Sequence, residues 1–464
     1  MQWLNKWRQH QRYREVFAVC LPLAVGLSAT TVMEFTDRVF LSNFSLEAIS
    51  AATPAGISAF LFMAFFGGIG SYCGVFIAQY IGAAQPKRIG SVLWQGIYFS
   101  FFSWVIFLLI ASFLTKPLFA LVGHAPEVRI LEEIYFRILC QGALFYVASQ
   151  VLSAFFSGRG LTRPVMTVNI VAMLVNIPLD YALIFGFGPF AEMGIAGAGI
   201  ATILSTGISV FILIILVFTK KHNQRFGVIS QRGFEYTLLK RLLRFGVPGS
   251  MQFSLDILAF TIFILLVGRI GTVELAATNI VLSINAIAFM PSMGASLGVS
   301  MLVGQALGSN QPLRAAHSTW SAIHLLMGYI FAIDMIFIFA PETIIRLFIP
   351  AGETTAAYGQ VIDTGVILMR IVACYLFFDA LYMIFSGVLK GAGDTRFIMW
   401  SVGIISLCCF ILPLFIGIEV LGKGVYYSWG CVLFFIASLF GVSSYRYARG
   451  RWRDMLVIES KRLT

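Results

Sequence analysis

Four aspartates stand in stretches that are otherwise apolar: Asp37, Asp180, Asp256 and Asp379. A carboxylate near the centre of a bilayer costs about 2.5–3.5 kcal/mol on insertion scales, so each needs a partner or a use. Asn176 precedes Asp180 by four residues and shares its face in a helix. Pro178 between them has no N–H and frees a backbone carbonyl. At a rise of about 1.5 Å per residue, Asp180 lies about 22 Å along its segment from Val165 and Asp37 about 32 Å from Val16, both towards the outer end. Thr202 lies about 12 Å from the outer start of the next segment at Gly194. Two carboxylates, an amide, a hydroxyl and a carbonyl therefore reach similar depth. Such an all-oxygen group suits a hard cation such as Na⁺, or a proton shared between two acids. A second constellation joins Asp256, about 22 Å along from Arg241, to Asp379, which has Tyr375, Phe377, Phe378 and Tyr382 as sequence neighbours. A carboxylate beside aromatic faces offers a bulky organic cation both Coulomb attraction and cation–π contact.

The elements that carry these residues are membrane helices. Hydrophobic residues make up 59% of the 464 and charged residues 11%, against about 45–50% and about 25% in soluble domains. Mean hydropathy is +0.88. That composition excludes a soluble globule, a disordered chain and a disulfide scaffold, and the apolar runs are too long for barrel strands. Twelve segments are expected to span: 16–41, 48–80, 91–122, 130–157, 165–187, 194–219, 242–268, 275–308, 317–347, 360–389, 397–418 and 422–445. The basic N-terminal residues, Lys6 and Arg8 among them, precede an apolar run with no cleavage motif after it, which reads as a retained first helix. With the N-terminus inside, 24 of the 32 lysines and arginines fall on inner loops and tails, Lys461 and Arg462 included. The net charge of +11 is thus a positive-inside signal and not a nucleic-acid footprint, and both termini are expected in the cytoplasm. The seven cysteines are scattered without metal or redox spacing.

The two halves repeat. Ala51-Ala52-Thr53 returns as Ala276-Ala277-Thr278, 225 residues on, and Gln79-x-x-Gly82-x-x-Gln85-Pro86-x-Arg88 returns as Gln305-x-x-Gly308-x-x-Gln311-Pro312-x-Arg314, 226 on. Gly160-x-Thr162-Arg163 returns as Gly393-x-Thr395-Arg396, 233 on, and Pro22 matches Pro248. Six spans per unit is an even number, so the halves share one topology and relate by an axis along the membrane normal, with a site at the repeat interface. The expected fold is all-α: an N-terminal six-helix bundle over 1–219, a cytoplasmic linker over 220–241 and a C-terminal bundle with a basic tail over 242–464. None of the four acids is duplicated, so the scaffold repeats and the chemistry does not.

These motifs, in this order and duplicated, resemble the multidrug and toxic compound extrusion (MATE) family, nearest to its NorM-like branch, over about residues 12–446. The resemblance implies two six-helix bundles that export organic cations or amphipathic drugs in exchange for Na⁺ or H⁺. It matches Asp37, Asn176, Asp180 and Thr202 to the family's N-terminal cation site, with Na⁺ as a possible ligand, and Tyr135 to a tyrosine near it. Asp256 and Asp379 resemble the branch's two C-terminal acids, the first shorter than the usual Glu.

The function expected is secondary active antiport, in which substrate and ion compete for the same buried negative charge. A lipid-linked saccharide flippase is the alternative, and would call for a cationic cavity to hold pyrophosphate. An enzyme would need a nucleophile, a metal centre or an acid/base pair at a lipid interface, and none is legible. The partners expected are small organic cations and the lipid bilayer, with no nucleic acid and no cofactor beyond the coupling ion. The chain is expected to be a monomer, multi-pass in a plasma membrane of the bacterial inner-membrane type.

Overall fold

The structure, a computed structural model, describes residues 12–122, 124–348 and 356–459. Lys6, Arg8, Lys461 and Arg462 lie outside these residues. Among the described residues every regular element is a helix. Twelve are long and apolar enough to span: α1 Tyr13–Phe44, α2 Leu46–Gly82, α3 Arg88–Leu121, α4 Pro126–Ser157, α5 Arg163–Phe185, α6 Ile195–Val217, α7 Tyr236–Val267, α8 Thr272–Gly308, α9 Pro312–Phe339, α10 Tyr358–Ala392, α11 Thr395–Val420 and α12 Val425–Ala448. α4 counts as one span although it bends by 41° between Gln141 and Ala143.

Two boundaries differ most from the hydropathy reading. α7 starts at Tyr236, not near 242, because its first turns are amphipathic: Leu238 and Leu242 are buried, while basic residues occupy the other faces. The segment expected over 317–347 ends as α9 at Phe339, and Pro341–Arg346 forms a separate short helix. A proline disfavours helical geometry in the residue before it, here Ala340. A short helix, Lys220–Phe226, also occupies the loop between α6 and α7. The Thr219 side chain caps it by accepting from His222 N, and Gly227 ends it at φ 67°.

The backbone carries the repeat as plainly as the side chains do. Among the described residues, two non-glycine residues have positive φ, Ala84 at 54° and Asn310 at 56°. They are repeat equivalents, so both copies of the Gln-x-x-Gly…Gln-Pro loop make the same left-handed turn. Gly160 and Gly393, at φ 76° and 98°, form a second such pair.

The chain forms two compact units. One comprises Met1–Ala24, Met251–Leu307 and Gln311–Leu456; the other comprises Val25–Ser250, Gly308–Asn310 and Val457–Thr464. The divisions fall inside α1 and α7, two residues beyond the repeat-equivalent Pro22 and Pro248. The start of α1 therefore packs with the C-terminal helices: Cys20 Sγ donates to Ala295 O, and Glu15 pairs with Arg314 at 2.9 Å. The start of α7 packs with the N-terminal helices, where Arg241 pairs with Glu459 at 3.0 Å. In that same unit Val457 N donates to Gln79 Oε1 at 2.8 Å, and Arg88 pairs with Glu235 at 2.9 Å.

Candidate functional site

In the unit that contains most of α1 to α6, close backbone approaches set the positions of the polar side chains. α6 comes so near α5 that a Cβ on Gly197 would stand 2.5 Å from Leu183 O. It also lies near α4, where a Cβ on Gly142 would stand 2.2 Å from Ile203 Cγ1 and one on Gly199 would stand 3.4 Å from the Tyr135 ring. Small residues allow this packing, which apolar attraction alone does not drive between helices in lipid.

That packing brings Asp37 of α1, Asn176 and Asp180 of α5, Thr202 of α6 and Tyr135 of α4 into one cluster. Asp37, Asn176, Asp180 and Tyr135 are buried, and Asn176 and Asp180 have no exposed surface. The Thr202 hydroxyl lies 3.4 Å from Asp37 Oδ2 and 3.0 Å from Ala198 O. The Asp180 carboxyl faces that of Asp37 and adjoins Asn176. Two ionised carboxylates are acceptors only, so neither satisfies the other. Both oxygens of Asp180, Oδ1 of Asp37 and both polar atoms of the Asn176 amide lack a hydrogen-bond partner. Buried polar atoms left unpaired are costly. Here four of them are oxygens, and a cation or a shared proton satisfies them together. Glu34, one turn before Asp37, is exposed.

The other unit holds Asp256 on α7 and Asp379 on α10. Asp379 is buried, with Oδ2 unpaired. Its sequence neighbours are not all neighbours in space. Phe377 is exposed and Phe378 packs on Phe440 at 5.8 Å. The aromatics that share the face of Asp379 are Tyr375, one turn before, and Tyr382, one turn after, and both are buried. Tyr375 stacks on Trp429 at 6.3 Å, and Trp429 Nε1 donates to Thr278 Oγ1.

Gln252 is the residue the sequence reading passed over. It stands four residues before Asp256, as Asn176 stands four before Asp180, and the spacing alone could have found it. Its Nε2 donates to Asp256 Oδ2 at 2.5 Å and to Tyr382 Oη at 3.2 Å. Its Oε1 is buried and unpaired.

Comparison with known proteins supplies the family. The model of the family described as MatE matches residues 22–182 and 248–417. The two matched stretches begin at the repeat-equivalent Pro22 and Pro248 and together cover more than half of the chain. A probable multidrug resistance protein NorM of Thermotoga maritima is 27% identical over 470 residues, covering 97% of this chain and 95% of that protein. A protein of the same name from Bradyrhizobium diazoefficiens is 26% identical, covering 90% of this chain and 91% of that one. Among solved structures, a multidrug resistance MATE family transporter in an outward-facing conformation matches with a TM-score of 0.84 at 19% identity, over 97% of each chain. A eukaryotic MATE transporter matches with a TM-score of 0.84 at 18% identity, over 96% of this chain and 97% of that one. The chain belongs to the MatE family.

Proposed function

We propose that this protein is a secondary antiporter that expels organic cations and amphipathic drugs in exchange for Na⁺ or H⁺. The observation that carries the reading is the buried group of unpaired oxygens on Asp37, Asn176 and Asp180 beside the Thr202 hydroxyl. Such a group is costly bare and is relieved by a cation or proton. The names of the relatives, probable multidrug resistance proteins, support the same reading. Asp37, Asn176, Asp180 and Thr202, with Tyr135 against them, take the coupling ion. Asp256 and Asp379, with Tyr375 and Tyr382, take the organic cation or a second ion. Binding at one cluster lowers the cost of vacating the other, because leaving both bare in low dielectric is the state to be avoided. The protein works as a monomer in a bacterial inner membrane, with both termini cytoplasmic and the two sequence halves joined through 220–241. It needs no cofactor beyond the ion and catalyses no covalent step.

The test is transport in proteoliposomes. Ethidium movement is followed with an inward Na⁺ gradient alone, with a pH gradient alone, and with neither. Acceleration by either gradient supports antiport and names the ion. Equal rates under all three conditions overturn it.

A further inference from the structure

The Asp256 carboxylate is held from its own helix. Gln252, one turn before it on α7, is 2% exposed and reaches both Asp256 Oδ2 and Tyr382 Oη through the same amide nitrogen. Its amide oxygen has no partner. A buried amide that uses one end twice and leaves the other idle pays a desolvation cost for nothing, unless a second state uses that end. The groups around it define that state. Asp379 Oδ2, in the same unit, is also buried and unpaired.

We propose that Gln252 is an amphoteric clasp for Asp256. Its nitrogen holds the carboxylate while the acid is charged. Its oxygen takes over when an arriving cation or proton neutralises that charge. An amide is suited to this because it is a donor at one end and an acceptor at the other, and half a turn about its last bond exchanges them. With Nε2 facing Asp256, the amide satisfies a bare carboxylate. With Oε1 facing it, the amide accepts from the protonated acid or adds an oxygen ligand to a bound cation. Tyr382, whose hydroxyl both donates and accepts, serves either orientation. The clasp also accounts for the side-chain length at 256: Asp reaches a donor only because Gln252 extends toward it along the same face. The inference rests on the reading of Asp256 as a residue whose counter-charge changes during transport.

The experiment uses the full chain in proteoliposomes with ethidium as the organic-cation probe. It reads the driving-ion concentration at half-maximal transport, the maximal rate and the thermal midpoint. Gln252→Met keeps the shape and removes both hydrogen-bonding ends. It is expected to raise that ion concentration about tenfold while the maximal rate stays within about twofold. In an Asp256→Asn background the same change is expected to have no further effect, because the carboxylate it serves is gone. Gln252→Asn, one methylene shorter, is expected to act like Gln252→Met, and adding Asp256→Glu to it is expected to restore the normal ion dependence. The proposal is overturned if Gln252→Met leaves the ion dependence unchanged, if its effect persists in Asp256→Asn, or if it lowers the thermal midpoint and the rate without moving the ion dependence. Should Asp256→Asn itself change neither ion dependence nor ethidium transport, the underlying reading of Asp256 fails and the clasp with it. Should Asp256→Asn act while Gln252→Met does not, the clasp alone fails.

Discussion

Thr202 on α6 reaches Asp37 on α1, its Oγ1 lying 3.4 Å from Asp37 Oδ2. The hydroxyl also has Ala198 O within 3.0 Å, so it can turn from the carboxylate to the backbone when a cation displaces it. Asp37→Asn is expected to abolish ion-driven efflux and leave the protein folded in the membrane. Thr202→Val is expected to be milder, weakening apparent ion affinity by about fivefold, the worth of about 1 kcal/mol for one long hydrogen bond. Counterflow assays on both variants, with size-exclusion profiles in detergent as the folding control, check the pair. Full ion-driven efflux by Asp37→Asn removes it from coupling.

The two acid clusters are expected to differ in kind. Asp180→Asn should flatten the response to Na⁺ or pH for every substrate. Asp379→Asn should weaken a cationic substrate about 30-fold, or about 2 kcal/mol, and spare a neutral analogue, because a lost charge contact matters only to a charged ligand. Affinities for a matched cationic and neutral pair decide it. Equal losses for both compounds in Asp379→Asn end the division of labour.

Two glycines of α6 and α4 are expected to tolerate a methyl unequally. At Gly197 the added Cβ meets the Leu183 carbonyl, which is backbone and cannot move aside. At Gly142 it meets the outer carbons of Ile203, which can turn away. Gly197→Ala should cost about 1–3 kcal/mol and Gly142→Ala less, with Ile203→Ala relieving the clash in the second and not in the first. Thermal midpoints in detergent give the order, and an inverted order means that α5 and α6 are not held by this contact.

The loop between α6 and α7 is expected to loosen in acid. His222 sits on Phe155 and Phe226, with ring centroids 5.1 Å and 5.9 Å away, and Arg159 lies over the same two rings. Burial first, and then the charge of Arg159, hold the His222 pKa below its ordinary value. Arg159 is itself pushed down to about 10 by burial and by Arg225. A base with a lowered folded pKa takes up its proton later than the unfolded chain does. Its local stability is therefore whole above the ordinary value, about 6.5, and declines as pH falls through it towards the lowered one. Hydrogen exchange over 219–231, corrected for intrinsic rates, should speed up between pH 7.5 and 5.5 in the native protein and not in His222→Phe. A pH-independent loop in the native protein rules this out.

Much of the arrangement is legible in the chain. Span number follows from apolar length, and the repeat offset of 226 pairs Ala84 with Asn310, where the backbone makes the same positive-φ turn. Asn176 with Asp180 is readable from helical spacing. The same rule applied to Gln252 would have found it, but a glutamine draws less notice than an acid. Phe377 and Phe378 misled because neighbours in sequence lie about 100° apart around a helix. What hydropathy cannot report is which neighbour a helix end packs against. Nothing in it reflects the partners of Glu15 or Arg241, so the division of the compact units inside α1 and α7 is visible only in the fold.

That division bears on how the protein is made. The first turns of α1 leave the ribosome before their distant partners exist: Cys20 waits for Ala295 and Glu15 for Arg314. The N-terminal helices in turn remain incomplete until α7 begins, and the bond from Val457 N to Gln79 Oε1 forms only after α12 has been synthesised. Neither unit can be finished and set aside while the other is translated. The insertion machinery must shelter two partly assembled bundles at once, and a ribosome that stalls late strands both.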